Sequence, residues 1–378
     1  MSLKHEFEPL ERWPAYRGRP LLVCGPCSAE SRDQVYLTAK ALVENRKVHI
    51  FRAGIWKART RPGGFAGVGL DGLGWLAEVE RELGVPVATE VANARHVQSV
   101  IEHGLKSLWI GARTTASPFA VQEIADALRG ADVTVFIKNP VSPDVDLWQG
   151  AIERVREAGI ERIAAVHRGF QKYGEDRFRN APHWQIPIEL LLRLPGLPII
   201  CDPSHICGEA SLLREVCQNA MDLAYDGLMI ESHIDPSEAL SDARQQVEPS
   251  KLRDLLDGLV LRATGSSEPS FQRIIETLRT RMDDLDGRLL EVLQQRMVVA
   301  RRIAQSKREQ NVTVLQASRF EETVKRCVSR GRECGLSPGF VRAIFQAIHQ
   351  ESIDQQREIM NEKWILDDAA LAAAPPKR

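Results

Sequence analysis

The feature that most restricts the fold of this chain is a series of eight short apolar segments, each separated from the next by a longer stretch. No segment exceeds six residues, and each is apolar through most of its length. This pattern is typical of strands in a parallel sheet that is covered on both faces. We therefore predict eight strands, at residues 20–24, 48–52, 86–90, 107–111, 133–138, 162–166, 198–202 and 227–231.

The stretches between these segments are long enough for helices, as at residues 31–45, 70–83, 118–128 and 208–223. Eight strand–helix units in about 240 residues predict a closed (β/α)8 TIM barrel of the α/β class. An open, doubly wound sheet is the alternative, but eight strands in unbroken alternation favour closure.

The composition changes after residue 262. Residues 263–270 are small and polar and are predicted to link a barrel domain at 1–262 to a small all-α domain of three helices at 271–361. Residues 362–378 are predicted to form a flexible tail.

The first helix of the all-α domain carries apolar residues three and four positions apart over about 50 Å of its length. A stripe of this length cannot be buried within so small a domain, so it predicts a partner chain and hence a homodimer. The stripe consists of Ile274, Leu278, Met282, Leu285, Leu289, Leu293, Met297, Ala300 and Ala304.

Charge and composition exclude several classes of protein. The 50 Lys and Arg residues nearly balance the 51 Asp and Glu residues, so the net charge of −1 gives no general attraction to nucleic acid or to an acidic membrane surface. No apolar stretch of about 18 residues is present, and the N-terminus lacks the apolar core of a secretory signal. The odd number of cysteines, seven, argues against a disulfide framework, so we expect a reducing cytoplasm.

Fixed cations lie at or just after the ends of four of the predicted strands, where the active site of a barrel lies. They are Arg52, Lys57, Arg59, Arg113, Lys138 and Arg168. Cations concentrated in one mouth require a ligand of high negative charge, such as two phosphates and a carboxylate. Pairing of each cation with a surface carboxylate is the alternative, and the presence of six cations at these strand ends argues against it.

A second set of strand-end residues offers ligands for a metal ion. A thiolate, an imidazole and two carboxylates suit a divalent ion such as Mn²⁺, Fe²⁺, Co²⁺ or Zn²⁺. This set is Cys27, His205, Glu231 and Asp242. A competing hypothesis treats Cys24-Gly-Pro-Cys27 as a thioredoxin-type redox pair, but a thioredoxin-like unit has only about 100 residues and here at least six further βα units follow.

The strand ends together resemble the short class of 3-deoxy-D-arabino-heptulosonate 7-phosphate (DAHP) synthases. The motifs that carry this resemblance are GPCSAES, FRAGIWKARTRPGGF, IGAR, IKNP, HRGF and DPSH, with GLMIESH followed by ALSD. The resemblance implies condensation of phosphoenolpyruvate with erythrose 4-phosphate and a metal held by the four ligands named above. It also implies that Arg52, Lys57, Arg113, Lys138 and Arg168 bind phosphoenolpyruvate, and that Arg59 and Thr60 bind the sugar phosphate. Lys57 would act either as a catalytic proton donor or as a fixed charge.

One position departs from this family. Ala58 stands where DAHP synthases usually have Pro, while Arg59 and Thr60 follow the DAHP type. The alternative is the sister enzyme, 3-deoxy-D-manno-octulosonate 8-phosphate synthase, with a helical domain that only dimerises or regulates.

The helical domain resembles the all-helical chorismate mutases, which are intertwined dimers of three-helix chains. The resemblance implies that one pocket is lined by Arg296, Lys307, Arg319, Ser352 and Gln356, and that Arg279 enters it from the partner chain. Lys307 and Gln356 would be the catalytic residues, because they would hydrogen-bond the ether oxygen of chorismate as charge develops there.

Two positions depart from the mutase pattern. Phe320 stands where a Glu is usual, and Gln316 stands where an acidic residue is usual. The resemblance also implies that the fused mutase senses prephenate or chorismate and thereby inhibits the synthase.

Overall fold

A computed structural model describes residues 7–45, 48–57, 63–174 and 177–372, with the side chains of 317 and 362–372 excepted. The chain divides into two compact units, Met1–Thr264 and Gly265–Arg378.

The first unit contains eight parallel strands that close into a barrel, so the predicted fold is confirmed. Each strand pairs with its neighbours in sequence, and the last pairs with the first from Leu21 opposite Gly227 to Gly25 opposite Glu231. The strands are β1 (Leu21–Gly25), β2 (Ile50–Arg52), β3 (Val87–Val91), β4 (Ser107–Ile110), β5 (Thr134–Lys138), β6 (Arg162–His167), β7 (Ile199–Cys201) and β8 (Gly227–Glu231).

Helices cover the outside of the barrel. They are α1 (Arg32–Glu44), α2 (Asp71–Leu83), α3 (Ala94–Glu102), α4 (Ala112–Thr115), α5 (Pro118–Ala127), α6 (Val145–Glu157), α7 (Gln185–Arg193), α8 (Pro203–Cys207), α9 (Leu213–Asp222) and α10 (Pro249–Asp257). Side-chain caps begin several of them: Ser31, Asn93 and Asp144 each accept a hydrogen bond from the backbone N–H three residues later.

The helix predicted at residues 208–223 is wrong at its beginning. Gly208 adopts a left-handed conformation, with φ of 68°, and ends α8. A short 3-10 turn at Ala210–Leu212 then precedes α9. The apolar periodicity did not reveal this break, because it depends on the backbone conformation of one glycine.

Alternation along the strands separates two cores. Outward residues pack against the helices, whereas inward residues of all eight strands, among them Trp109 and Phe136, fill the barrel. The N-terminal segment adds Leu10 and Trp13 to this interior core, and the Trp13 ring meets the edge of Phe136 at 6.0 Å between centroids. Glu8 N–H also donates to the carbonyl of Glu161, just before β6, so this segment closes the N-terminal end of the barrel.

The second unit is helical and consists of α11 (Pro269–Glu309), α12 (Ala317–Glu333) and α13 (Pro338–Ala372). Its small core includes Met297, Ala300 and Ala304 of α11. The N-terminal part of α11 instead exposes its apolar residues, which are Phe271, Ile274, Leu278, Met282, Leu285, Leu289, Leu290 and Val292. Within the described ranges, no helix combines the length and the apolar character needed to cross a membrane.

Candidate active sites

The alternation that fills the barrel also builds its mouth. At the C-terminal end of six of the strands, the residue two positions after an inward apolar side chain is polar or charged, whereas β1 and β4 have glycine there. The pairs are Ile50 and Arg52, Ala88 and Glu90, Phe136 and Lys138, Val166 and Arg168, Ile200 and Asp202, and Met229 and Glu231.

These strand ends and the loops after them enclose a cavity of about 160 Å³. Its charged and polar lining consists of Lys57, Glu90, Arg113, Lys138, Arg168, Arg179, His205 and Asp242. Four of the predicted phosphoenolpyruvate ligands are therefore brought together here. The two predicted sugar-phosphate ligands, Arg59 and Thr60, and the departure at Ala58 lie outside the described residues.

Arg52 lies on the floor beneath this cavity and is almost completely buried. Its Nη1 lies 3.2 Å from Oε1 of Glu231, its Nη2 donates to the carbonyl of Cys27 at 3.1 Å, and its guanidinium lies 4.7 Å from the centroid of the Trp109 ring. Burial is the largest single influence and would lower the pKa of Arg52, but the negative charges around it, Glu231 foremost, together raise the net pKa. Within the described chain its Nε has no hydrogen-bond partner.

Asp202 joins a cation to an imidazole. Its carboxylate accepts from Nζ of Lys138 at 2.8 Å and from Nδ1 of His205 at 3.0 Å, and it also caps α8 by accepting from the backbone N–H of His205. The imidazole is thereby oriented so that its Nε2 lies 3.8 Å from Oε1 of Glu231. Burial lowers the pKa of His205, which favours the neutral form that binds metals.

The remaining two predicted metal ligands form a second pair. Sγ of Cys27 lies 3.4 Å from Oδ2 of Asp242, and Nζ of Lys57 lies 3.0 Å from the same sulfur. Burial raises the pKa of the Cys27 thiol to about 12. Burial is the largest single influence and would raise the pKa of Asp242, but the surrounding positive groups, led by Arg179 at 3.0 Å, together lower it to about 2.

The donor chemistry of these two pairs, a thiol, an imidazole and two carboxylates, suits a divalent ion. His205 and Asp242 line the cavity, and their buried neighbours Glu231 and Cys27 lie behind them. Among the described residues, however, no group of three or more His, Cys, Asp or Glu side chains is close enough to hold an ion. The two carboxylates instead bind protein groups: Glu231 accepts from Arg52 and from Nε2 of Gln245 at 2.6 Å, and Asp242 accepts from Arg179.

His167, the first residue of the HRGF motif, does not face the mouth. It is fully buried on the outer side of β6, where it donates from Nε2 to the carbonyl of Pro182 at 2.7 Å and accepts from the Tyr225 hydroxyl at 2.9 Å. Burial lowers its pKa to about 3, so the ring is neutral and structural.

The helical unit has a cavity of its own, of about 280 Å³. All five residues predicted for one chain line it, together with apolar side chains and both departures from the mutase pattern. The lining is Arg296, Val299, Ala300, Ile303, Lys307, Val314, Gln316, Arg319, Phe320, Thr323, Phe345, His349, Ser352 and Gln356.

Hydrogen bonds join the predicted residues of this cavity. Nη1 of Arg296 donates to the Ser352 hydroxyl at 2.5 Å, and Nζ of Lys307 lies 3.5 Å from Oε1 of Gln356. Arg279 does not line the cavity of its own chain. It is exposed on α11, 17 residues before Arg296, which is about 25 Å along a helix.

A closed barrel with a cationic mouth, joined in one chain to a helical unit with a second cationic cavity, defines a protein with two separate sites for anionic ligands. Residues 16–260 match the DAHP synthetase I family, and residues 278–357 match chorismate mutase type II. The chain belongs to the DAHP synthetase I family, and it also carries a chorismate mutase domain, so both resemblances are confirmed.

Two relatives illustrate the range of the barrel family. Phospho-2-dehydro-3-deoxyheptonate aldolase of Thermotoga maritima is 28% identical over 235 residues, which cover 62% of this chain and 67% of that protein. A 2-dehydro-3-deoxyphosphooctonate aldolase of Aromatoleum aromaticum is also 28% identical, over 254 residues, which cover 62% of this chain and 88% of that protein.

Solved structures agree on the fold. The T. maritima DAHP synthase superposes with a TM-score of 0.56 and 26% identity, and the match covers 62% of this chain and 66% of that one. A truncated form of the synthase from the same organism gives a TM-score of 0.54, covering 68% of this chain and 87% of that one.

The buried, neutral His167 predicts how stability depends on pH. Its pKa of about 3 in the folded protein lies below the ordinary value of 6.5, so between these values the unfolded chain binds a proton that the folded chain does not. Stability should therefore fall as the pH is lowered from about 6.5, by about 2 kcal/mol for this residue between pH 7 and pH 5. Urea denaturation should show a smaller loss over that interval in His167→Gln.

His103→Gln provides the matched control, because His103 is exposed on the barrel surface. Its loss of stability between pH 7 and pH 5 should equal that of the wild type. An equal loss in His167→Gln as well would contradict the structural assignment of His167.

Proposed function

We propose that the barrel catalyses the DAHP synthase reaction, the condensation of phosphoenolpyruvate with erythrose 4-phosphate, and that the helical unit converts chorismate to prephenate. The observation that supports the first activity is the convergence of Lys57, Arg113, Lys138 and Arg168 on one cavity, which His205 and Asp242, two of the expected metal ligands, also line. A ligand with a phosphate and a carboxylate matches that charge.

Phosphoenolpyruvate would bind in the deeper part of the mouth. Arg52 is fixed there by Glu231 and Trp109, and its unpaired Nε is an additional donor for a carboxylate or phosphate. Burial lowers the pKa of Arg168 to about 10, which still leaves it charged at neutral pH. Both cations would orient the phosphate before the reaction begins.

Cys27, His205, Glu231 and Asp242 would hold a divalent ion, either Mn²⁺, Fe²⁺, Co²⁺ or Zn²⁺. When bound, such an ion supplies a Lewis acid that polarises the aldehyde of the sugar phosphate. Asp202 would keep the Nδ1 proton of His205 in place and thus leave Nε2 free as the ligand atom. Three of these ligands are hydrogen-bonded to other side chains: Cys27 to Lys57, Glu231 to Gln245 and Asp242 to Arg179. Binding of the ion would replace these hydrogen bonds.

In the condensation, C3 of phosphoenolpyruvate forms a bond to the aldehyde carbon, water adds at C2, and phosphate leaves. Lys57 is the group placed to give a proton to the new hydroxyl oxygen. Burial is the largest single influence and would lower its pKa, but its acidic neighbours Cys27, Glu231 and Glu90 together raise the net pKa, which keeps the ammonium protonated.

Arg59 and Thr60 would bind the phosphate of erythrose 4-phosphate. The family match and the Arg59-Thr60 pair support this substrate over the longer arabinose 5-phosphate. A 3-deoxy-D-manno-octulosonate 8-phosphate synthase with a non-catalytic helical domain is the alternative, since such enzymes are also among the relatives.

In the helical unit the mutase reaction requires no covalent catalysis, because it is an intramolecular rearrangement. Arg296 and Arg319 would bind the two carboxylates and hold the substrate in its reactive conformation. Lys307 and Gln356, which are 3.5 Å apart, would donate to the ether oxygen as negative charge develops on it.

The mutase would work as a homodimer. The exposed apolar stripe of α11 supports this, since its residues would otherwise remain in water. Arg279 lies on the same exposed part of the helix, so pairing of two such helices would carry it to the cavity of the partner chain. We also propose that prephenate bound in this cavity inhibits the synthase and that the enzyme works in the cytoplasm.

A single set of assays on the full-length chain tests this function. Loss of phosphoenolpyruvate should be fast with erythrose 4-phosphate and slow with arabinose 5-phosphate, and chorismate should be consumed by the same sample. Prephenate should inhibit the first reaction in the wild type but not in Arg296→Ala. Preference for arabinose 5-phosphate would support the sister enzyme, and full inhibition of Arg296→Ala would refute feedback through the mutase cavity.

The two cysteines of the CGPC sequence provide a matched pair for the metal site. Cys27→Ser should lose bound metal and at least about 100-fold of the condensation rate, because a ligand is removed. Cys24→Ser should retain both, since Cys24 is buried in the outer core. Metal analysis and the condensation assay measure this directly. Dependence on Cys24 instead would favour the redox hypothesis.

Mixing two inactive variants tests the dimer. Arg279→Ala and Arg296→Ala should each abolish most mutase activity, but a mixture refolded together should regain activity, because some dimers then contain one intact cavity. Arg281→Ala, at another exposed position of α11, should remain active. A mixture no more active than its components would show that Arg279 does not serve the partner's cavity.

A further inference from the structure

One residue of the mutase cavity has no place in the mechanism derived so far. His349 lies on α13, three residues before Ser352 and seven before Gln356, so the three side chains share one face of the helix. All three line the same cavity. The position of His349 is therefore that of a ligand-binding residue rather than of a surface residue.

A stacking contact holds the imidazole of His349 in place. The ring of Phe320 lies parallel to it, with 3.8 Å between centroids and an angle of 24° between planes. This contact covers one face of the imidazole, and the residue lines the cavity. In the described part of the chain, neither nitrogen of His349 has a hydrogen-bond partner.

The charge state of His349 suits a neutral ligand group. Burial and, to a smaller extent, the nearby Arg296 lower the pKa of the imidazole. A neutral imidazole has one N–H donor and one acceptor nitrogen. A hydroxyl group can accept a hydrogen bond from the first or donate one to the second.

Most of the other polar groups of the cavity have partners or are assigned to other parts of the substrate. The Ser352 hydroxyl bonds to Arg296 and to the carbonyl of Ile348, and the Thr323 hydroxyl donates to the carbonyl of Arg319. Among the described lining residues, Gln316 is a second polar side chain without an assignment.

The two guanidinium groups of Arg296 and Arg319 match the two carboxylates, and Lys307 with Gln356 matches the ether oxygen. The ring hydroxyl is the remaining polar group of chorismate. We infer that His349 is a further substrate-binding residue, which hydrogen-bonds this hydroxyl and is held in position by Phe320. The inference rests on the proposed mutase function.

Two variants and two substrates test this inference in the full-length protein. His349→Phe keeps an aromatic ring for the contact with Phe320 but removes both hydrogen-bonding atoms, whereas His349→Gln keeps a donor and an acceptor. With chorismate, kcat/KM should fall about tenfold in His349→Phe, the effect of one lost hydrogen bond, and should be partly restored in His349→Gln.

The second substrate is a chorismate analogue that lacks the ring hydroxyl. With this analogue, wild type and His349→Phe should have the same kcat/KM, because there is no hydroxyl to bind. The condensation rate and the unfolding midpoint should be unchanged in both variants, which excludes misfolding as the cause of any loss.

Three outcomes would overturn the inference. Equal activity of wild type and His349→Phe on chorismate would show that the residue binds nothing in the substrate. An equal fall with both substrates would assign His349 a structural role alone. A wild-type protein that does not convert chorismate would refute the mutase function itself, and the inference with it, which distinguishes this failure from the other two.

Discussion

The active end of the barrel depends on a fully buried ion pair between Arg52 of β2 and Glu231 of β8. Removing two charges from water costs several kcal/mol each, and their mutual attraction compensates for this only when further hydrogen bonds satisfy both groups. Here the guanidinium also binds the carbonyl of Cys27 and faces the Trp109 ring, while the carboxylate also binds Gln245. The side chains of the mouth are arranged around this pair, which fixes a cation next to a prospective metal ligand.

The barrel is predictable from the sequence because its strands are buried on both faces and are therefore continuously apolar. The eight strands have ends within two residues of those expected. The cations Lys57, Arg113, Lys138 and Arg168 are equally predictable, since a position at or after the end of a barrel strand is sufficient to place them at the mouth. The sequence analysis does not include Glu90 and Asp202 among the site residues, although the same two-residue alternation along β3 and β7 places both inward.

Other parts of the sites have no signal in a single sequence. Arg179 reaches the mouth from an irregular loop, and its contacts with Asp242 and Gln245 depend on the path of that loop. The sequence likewise does not predict that Cys27, Glu231 and Asp242 form hydrogen bonds to Lys57, Gln245 and Arg179, which a bound metal would have to replace. In the helical unit, spacing placed Ser352 and Gln356 on one face of α13, but the role of His349 became apparent only from its contact with Phe320.

The N-terminal segment that packs Leu10 and Trp13 into the barrel has an electrostatic consequence. It packs apolar side chains at the end opposite to the mouth, so a core of low dielectric constant lies between the charged floor and the solvent at that end. Solvent and counterions can therefore screen the charges of Arg52 and Lys138 only from the mouth. The electric field of these cations is directed toward the mouth, where its strength depends on the ligand and the solvent that occupy the cavity. An indole ring at the far end of the barrel thereby helps to determine how strongly an anion is attracted at the near end.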